Sequence, residues 1–126
     1  MTSYTLTLLP DRLAVCRLSA GSPYPDWARG PGLVALTRTP DELSVVCDQR
    51  SVPPGVQAIR DWRALKVAGP LDFSLVGVLA SLASVLAAAG VSIFALSTYD
   101  TDYILVRQPD LQAALRSLRS AGHEVG

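Results

Sequence analysis

Short runs of alternating hydrophobic and polar residues dominate the first half of the chain, which is the pattern of half-buried β-strands. A hairpin is predicted around the turn TPDE, and the Gly- and Pro-rich stretch SAGSPYPDWARGPG predicts a loop with at most one helical turn. Residues 56–62, VQAIRDW, are compatible with a short helix. The predicted strands are Tyr4–Leu9, Leu13–Leu18, Leu33–Arg38 and Leu43–Cys47.

The second half predicts strand, helix, strand, strand, helix, strand. A long apolar helix over Leu75–Ala89, ended by Gly90, follows a strand at Ala64–Ala68. The final helix starts at Pro109, and HEV adds a short last strand. This order is the split β-α-β arrangement of ferredoxin-like domains, an α+β member of the α/β class. The hairpin between the helices is Val91–Tyr99, turn Asp100-Thr101, and Tyr103–Arg107.

The two predicted helices differ in their patterns. Ser74 is the predicted N-cap of the first, because its hydroxyl oxygen can accept a bond from an N–H group of the first turn. That helix nearly lacks charge, which predicts that it is covered on more than one side or lies in a subunit interface. The last helix has a single apolar stripe, formed by Leu111, Ala114, Leu115 and Leu118.

A shift of 60 positions aligns LVALTRTPDELSVV with IFALSTYDTDYILV. In this alignment Thr37 matches Ser97 and Glu42 matches Asp102. We interpret this as a duplication, with domains at 1–62 and 63–126. The first module would have its first helix reduced to the PYPDWA region. A chance match between two hairpins is the alternative.

Charge and composition narrow the possible partners. The chain has 126 residues, 49% hydrophobic and 17% charged, with a net charge of zero. The low charged fraction favours a covered surface, most simply in a homodimer. Lys66 is the only lysine and no basic cluster exists, so nucleic-acid binding is not expected.

The cysteines, the single histidine and the hydropathy of the chain argue against a metal-binding, a secreted and a membrane-spanning protein. Cys16 and Cys47 lie in apolar runs and are predicted to be buried free thiols. His123 is the only histidine, so no metal site is expected, and its position near the C-terminus predicts an exposed or interface residue. No signal peptide or membrane span is expected, because MTSYTLTLLP lacks a basic start and the longest apolar run is too short. The prediction is a cytoplasmic protein.

The segment GPLDFSLVGVLASLASVLAAAGVSIFALSTYDTDYILV resembles an ACT domain. The loop LDFSLVG, then ALSTY, then TDYILV occur in the order and spacing of that family. The chain is most similar to small bacterial tandem-ACT proteins, relatives of the ACT modules of the mammalian cytosolic arginine sensor and of aspartate kinases. The match covers about Ala64 to His123, and the first half matches as a truncated module.

The resemblance implies regulatory binding of a small ligand, typically an amino acid, at an interface between ACT modules. The loop before the first helix would offer N–H groups to a carboxylate, while Asp102 would pair with an ammonium or guanidinium group. No cofactor is implied. The implied ligand-binding residues are Asp72, Phe73, Ser74, Leu75, Val76, Gly77, Ser97, Thr98, Tyr99 and Asp102.

Each of these residues also has a structural interpretation. Ser74 and Asp72 suit a helix start, Gly77 suits close packing, Asp100 and Asp102 suit a turn, and Tyr99 suits a strand surface. The first half has Thr-Arg-Thr in place of Ser-Thr-Tyr, which predicts a structural module without a second site. Three hypotheses follow: an amino-acid sensor, an interaction module that has lost its ligand, and an enzyme. The resemblance favours the sensor, and the enzyme is disfavoured because no catalytic motif is present.

Overall fold

A computed structural model describes residues 2–72 and 76–126 of the chain. It is a mixed α+β structure, as predicted. The helices are α1 (Val78–Ala88) and α2 (Leu111–Ser120), and 3₁₀ turns occupy Gln49–Ser51 and Gln108–Asp110. The strands are β1 (Thr5–Leu8), β2 (Leu13–Leu18), β3 (Ala35–Arg38), β4 (Leu43–Asp48), β5 (Gln57–Val67), β6 (Ile93–Ser97), β7 (Asp102–Arg107) and β8 (Glu124–Val125).

The chain forms two compact units. One comprises Met1–Pro10 and Arg63–Gly126, here called the helical unit, and the other comprises Asp11–Trp62, the inserted unit. This differs from the predicted division at 1–62 and 63–126. The physical reason is that β1 pairs antiparallel with the end of β5 and parallel with β8, so the first ten residues belong to the later sheet.

The helical unit follows the predicted order from β5 through α1, β6, β7 and α2 to β8. Its strands are neighbours in the order β6, β7, β5, β1, β8. The predicted apolar stripe of α2 is buried. Both helices pack on one cluster, whose buried members from the strands include Leu6, Leu65, Val67, Ile104 and Val106.

Helix α1 begins at Val78, three residues later than predicted, with Gly77 in the N-cap position. Gly77 has a φ of +84°, a left-handed conformation that favours glycine. The predicted cap, Ser74, lies outside the described residues. Val78, Leu82 and Leu86 form the buried stripe of α1. The opposite face is exposed and uncharged within this chain, through Ala80, Ser81, Ser84, Ala87 and Ala88.

The inserted unit has the strand order β3, β4, β2, β5. The short helix considered for residues 56–62 is wrong, because Gln57–Trp62 forms the first part of β5 and pairs with β2. Strand β2 pairs with β4 on one edge, and β5 satisfies the backbone groups of its other edge. The PYPDWA region contains only a turn. Small and branched side chains fill the core, namely Ala14, Cys16, Leu43, Val45, Cys47 and Val52.

The two hairpins share the same four-residue turn, but with an offset of 59 rather than 60. Strands β4 and β7 start at Leu43 and Asp102, and the 3₁₀ turns that follow start at Gln49 and Gln108. Backbone pairing therefore matches Asp102 with Leu43 instead of Glu42. In both turns a threonine N–H donates to the carbonyl of the residue three positions later, from Thr39 at 2.9 Å and from Thr98 at 2.8 Å.

His123 is buried, contrary to expectation. Its Nδ1 accepts a hydrogen bond from the N–H of Tyr4 at 3.0 Å, and the two rings stack with centroids 5.6 Å apart. The return of β8 beside the first strand brings these distant residues together.

Cys16 and Cys47 are buried and free, as predicted. Burial is the main cause that raises the pKa of both thiols, that of Cys47 to about 11. Among the described residues, no group of His, Cys, Asp and Glu is arranged to hold a metal ion. Neither helix of this part of the chain has the length and apolar character needed to span a membrane.

Candidate functional site

A cavity of about 330 Å³ in the helical unit lies at the start of α1 and the β6–β7 turn. Six of the predicted ligand-binding residues line it: Asp72, Gly77, Ser97, Thr98, Tyr99 and Asp102. Val76 is 94% exposed and is not part of the lining. Phe73, Ser74 and Leu75 lie outside the described residues. Further lining residues are Leu71, Val78, Leu79, Ala80, Asp100 and Thr101.

The first turn of α1 offers backbone donors to this cavity. The first intrahelical bond runs from the N–H of Ser81 to the carbonyl of Gly77 at 2.8 Å. The N–H groups of Val78, Leu79 and Ala80 precede it and therefore have no acceptor within the helix. No side-chain cap bond is made at Gly77 within the described residues. A helix start with open donors favours an anionic group such as a carboxylate.

A carboxylate is oriented on the opposite side of the lining. Ser97 and Asp102 are directly paired residues at the ends of β6 and β7, and the Ser97 hydroxyl donates to Asp102 Oδ1 at 2.6 Å. Among the described residues, no donor reaches Oδ2 of Asp102. Asp102 is therefore held in place and retains an oxygen that can accept from a ligand.

The lining carries an excess of negative charge. Asp72, Asp100 and Asp102 contribute carboxylates, and the described lining contains neither lysine nor arginine. Such a concave acidic surface attracts cationic groups. Tyr99 stands at its edge with 81% of its surface exposed. The arrangement thus presents separate positions for an anion and a cation.

Thr101 was missed by sequence reasoning, which treated it as an ordinary turn residue. It is 4% exposed, and its Oγ1 donates to the carbonyl of Val67 in β5 at 2.6 Å. A second link joins the same turn to the loop after β5, where the N–H of Leu71 donates to the carbonyl of Asp100 at 2.6 Å. These bonds place Asp72 beside the β6–β7 turn. A threonine in a turn gives no signal of such a distant acceptor.

The hairpin of the inserted unit has no counterpart of the Ser97–Asp102 pair. At the offset of 59, the equivalent residues are Arg38 and Leu43. The Arg38 guanidinium donates to the carbonyls of Ala20 and Ser22 and lies 4.8 Å from the centre of the Tyr24 ring. In this hairpin Arg38, whose guanidinium is bonded to the loop, stands at the position of Ser97, and the buried Leu43 stands at the position of Asp102.

Comparison with known proteins agrees with the fold of the helical unit. The family model of the ACT domain matches residues 57–120, and a second family model, described as an N-terminal domain, matches residues 11–55. The βαββαβ order defines the class, a ferredoxin-like α+β domain. The chain belongs to the ACT domain family.

Two relatives share substantial sequence with the chain. The crystal structure of protein Atu0741 from Agrobacterium tumefaciens is 38% identical, with a TM-score of 0.95, and the match covers 100% of this chain and 94% of that one. Cytosolic arginine sensor for mTORC1 subunit 1 from Bos taurus is 34% identical over 95 residues, which is 67% of this chain. The match covers 29% of the bovine protein.

A more distant likeness concerns the fold alone. The regulatory subunit of aspartate kinase from Thermus thermophilus, in its ligand-free form, has a TM-score of 0.59 at 16% identity. The match covers 93% of this chain and 96% of that one.

Proposed function

We propose that this protein is a regulatory sensor that binds a free amino acid in the cavity between α1 and the β6–β7 turn. The observation that carries the proposal is one lining with two opposite features. The N–H groups at the start of α1, which have no acceptor within the helix, suit a carboxylate, and the oriented Asp102 carboxylate suits an ammonium group. A zwitterion presents both charges at once.

The proposed ligand position follows from this polarity. The ligand carboxylate accepts from the N–H groups of Val78 to Ala80, with Gly77 leaving the approach open. Its ammonium group donates to Asp102, and Asp72 adds negative charge nearby. Ser97 orients Asp102, and Thr98 and Tyr99 line the remaining wall. Phe73, Ser74, Leu75 and Val76 remain predicted contributors from the loop.

Arginine is the first amino acid to test. The lining has three carboxylates and, among the described residues, neither lysine nor arginine, and this negative charge favours a ligand with a second positive charge. A bovine relative is named as an arginine sensor. Tyr99, which is 81% exposed, places an aromatic side chain in the same lining.

A thermal-shift screen of the common amino acids at millimolar concentration tests the proposal. A ligand that binds only the native state raises the melting temperature by mass action. We expect a rise with at least one amino acid, largest with a basic one, and saturable binding by calorimetry. If no amino acid changes the melting temperature or releases heat, the proposal is wrong.

The Asp102→Asn variant locates the response. It removes the charge but keeps the shape, so we expect the ligand-induced shift to disappear while the ligand-free protein stays folded. Asp41→Asn is the matched control, because Asp41 lies at the exposed turn of the other hairpin. A full shift in Asp102→Asn would remove this carboxylate from the site.

The proposal also covers catalysis, cellular location and oligomeric state. The protein acts without catalysis, so a bound amino acid should be recovered unchanged after prolonged incubation. It works in the cytoplasm, as the name of the bovine relative indicates for that protein. It forms a homodimer through the exposed, uncharged face of α1. A monomer by light scattering at micromolar concentration would contradict the last statement.

A further inference from the structure

The inserted unit contains a cavity of about 360 Å³ that the proposed sensor function does not use. The loop at residues 29–34 forms one side, and the end of β4 with its 3₁₀ turn forms the other. At the offset of 59, the residues equivalent to 48–51 are 107–110, which do not line the first cavity. This second cavity is therefore not a copy of the first. Its lining comprises Asp11, Leu13, Arg29, Gly30, Pro31, Gly32, Leu33, Val34, Asp48, Arg50 and Ser51.

One side of the lining carries donors without a strong protein partner. The Arg29 guanidinium is 79% exposed, and its ion pair is a long one, 3.9 Å from Nη2 to an oxygen of the fully exposed Asp26. Among the described residues, the N–H groups of Gly30, Gly32 and Leu33 donate to no acceptor. A planar guanidinium beside several open N–H groups suits a carboxylate.

The other side is a fixed ion pair. Arg50 donates to Asp48 from Nη2 at 2.7 Å and from Nε at 3.1 Å, so the two charges compensate each other. Within the described part of the chain, the Nη1 group of Arg50 makes no hydrogen bond. Since Nε and Nη2 of Arg50 donate to Asp48, Nη1 is the donor of this side chain that remains for a ligand.

Asp11 lies near both sides of this cavity. A Cβ atom at Gly32 would lie 2.7 Å from Asp11 Oδ2, so the loop comes close to this carboxylate. Asp11 also lies 3.9 Å from Nη2 of Arg50. Its carboxylate disfavours multiply charged anions in the cavity, since like charges repel.

From these contacts we propose that the inserted unit holds a second ligand site, which binds a small monocarboxylate. The carboxylate lies against the Arg29 guanidinium and the N–H groups of Gly30, Gly32 and Leu33. Arg50 Nη1 donates from the opposite side. This site is separate from the amino-acid cavity, and it would give the first half a role beyond the structural one expected from its sequence.

Amide spectra of the full-length ¹⁵N-labelled protein test the proposal, with sodium acetate titrated against sodium chloride at equal ionic strength. We expect saturable acetate-specific shifts at Gly30, Gly32 and Leu33. Arg29→Gln should weaken acetate binding at least about tenfold, the loss of one charge-assisted contact. Arg116→Gln, on the exposed surface of α2, is the matched control and should bind acetate as before.

Several outcomes would overturn the second site. These are equal shifts with chloride, no saturation in the 29–34 loop, or unchanged binding by Arg29→Gln. Asp102→Asn separates the two proposals, because it should abolish the amino-acid response and leave the acetate shifts intact. Arg50→Gln serves as a second variant, expected to weaken acetate binding without changing the amino-acid response.

Discussion

Thr101 Oγ1 donates to the carbonyl oxygen of Val67 across 2.6 Å, and both residues are buried. The bond joins the β6–β7 turn, which lines the candidate site, to the end of β5. Thr98 completes the connection, because its hydroxyl accepts from the N–H of Thr101 at 3.3 Å. The geometry of the cavity therefore depends on a buried threonine whose side chain bonds to the backbone of β5.

Replacing Thr101 by valine should destabilise the fold. The change keeps the shape and leaves the Val67 carbonyl buried without this donor, which costs about 1–3 kcal/mol. The free energy of unfolding from urea denaturation measures the effect. Thr101→Ser should retain most of the stability, and Thr7→Val, at an exposed position of β1, should change it by less than about 0.5 kcal/mol. Equal stability of Thr101→Val and wild type would contradict the role of the bond.

Gly69→Ala should displace the same turn. An added Cβ would lie 3.0 Å from the carbonyl oxygen of Asp100 and 3.1 Å from Cβ of Thr101, so neighbouring backbone must move. We expect a loss of about 1–3 kcal/mol, as for other overpacked sites, together with weaker amino-acid binding. Gly21→Ala is the control, because nothing lies within 4 Å of its added Cβ. Matching stability of the two variants would refute this packing argument.

Gly77→Ala tests the left-handed start of α1. A non-glycine residue at a φ of +84° is strained by about 1–2 kcal/mol. Gly77→Asn should lose less stability, since asparagine tolerates this conformation better. Denaturation curves of the two variants give the comparison. An alanine variant more stable than the asparagine variant would argue against a strained helix start.

The two buried cysteines should be unreactive in the native protein. Their raised pKa values leave little thiolate at about pH 8, and thiolate is the reactive form. A thiol-specific colour reagent should label the cysteines slowly in buffer and rapidly in denaturant. Fast labelling of the folded protein would show that the thiols are accessible.

The same thiols predict the alkaline behaviour of the fold. The unfolded chain loses these protons near the ordinary thiol pKa of 9.0, whereas burial raises the pKa of Cys47 in the folded protein to about 11. In that interval the unfolded state binds fewer protons, so stability falls as pH rises, by about 1.4 kcal/mol per pH unit for one thiol. Cys47→Ala should show a flatter decline above about pH 9. An equally steep decline in that variant would assign the effect to other groups.

Local patterns were sufficient to predict the element order of the helical unit and several strands of both units. The 3–4 spacing of Leu111, Ala114, Leu115 and Leu118 specifies a helix with one buried stripe, and these residues are buried. Runs rich in branched residues specified β2, β4 and β7. The short helix considered for residues 56–62 failed because Gln57–Trp62 borders a strand distant in sequence, and that pairing overrides local propensity.

The candidate site likewise combines features visible in the local sequence with features set by distant contacts. The polar residues of STYDTD and the glycine before α1 are visible as a local cluster, and six of the ten predicted residues line one cavity. The acceptor of Thr101 and the burial of His123 depend on contacts between distant segments. No periodicity in the chain encodes these.

The sequence by itself determined the helical unit's βαββαβ order, the buried stripe of α2 and the turn residues, because each depends on neighbours a few positions away. Tertiary structure alone decided the offset of 59 between the hairpins and the membership of β1 in the helical unit. It also decided that Asp102 corresponds to Leu43. Backbone hydrogen bonding sets register, and a shift by one residue reverses which face each side chain occupies.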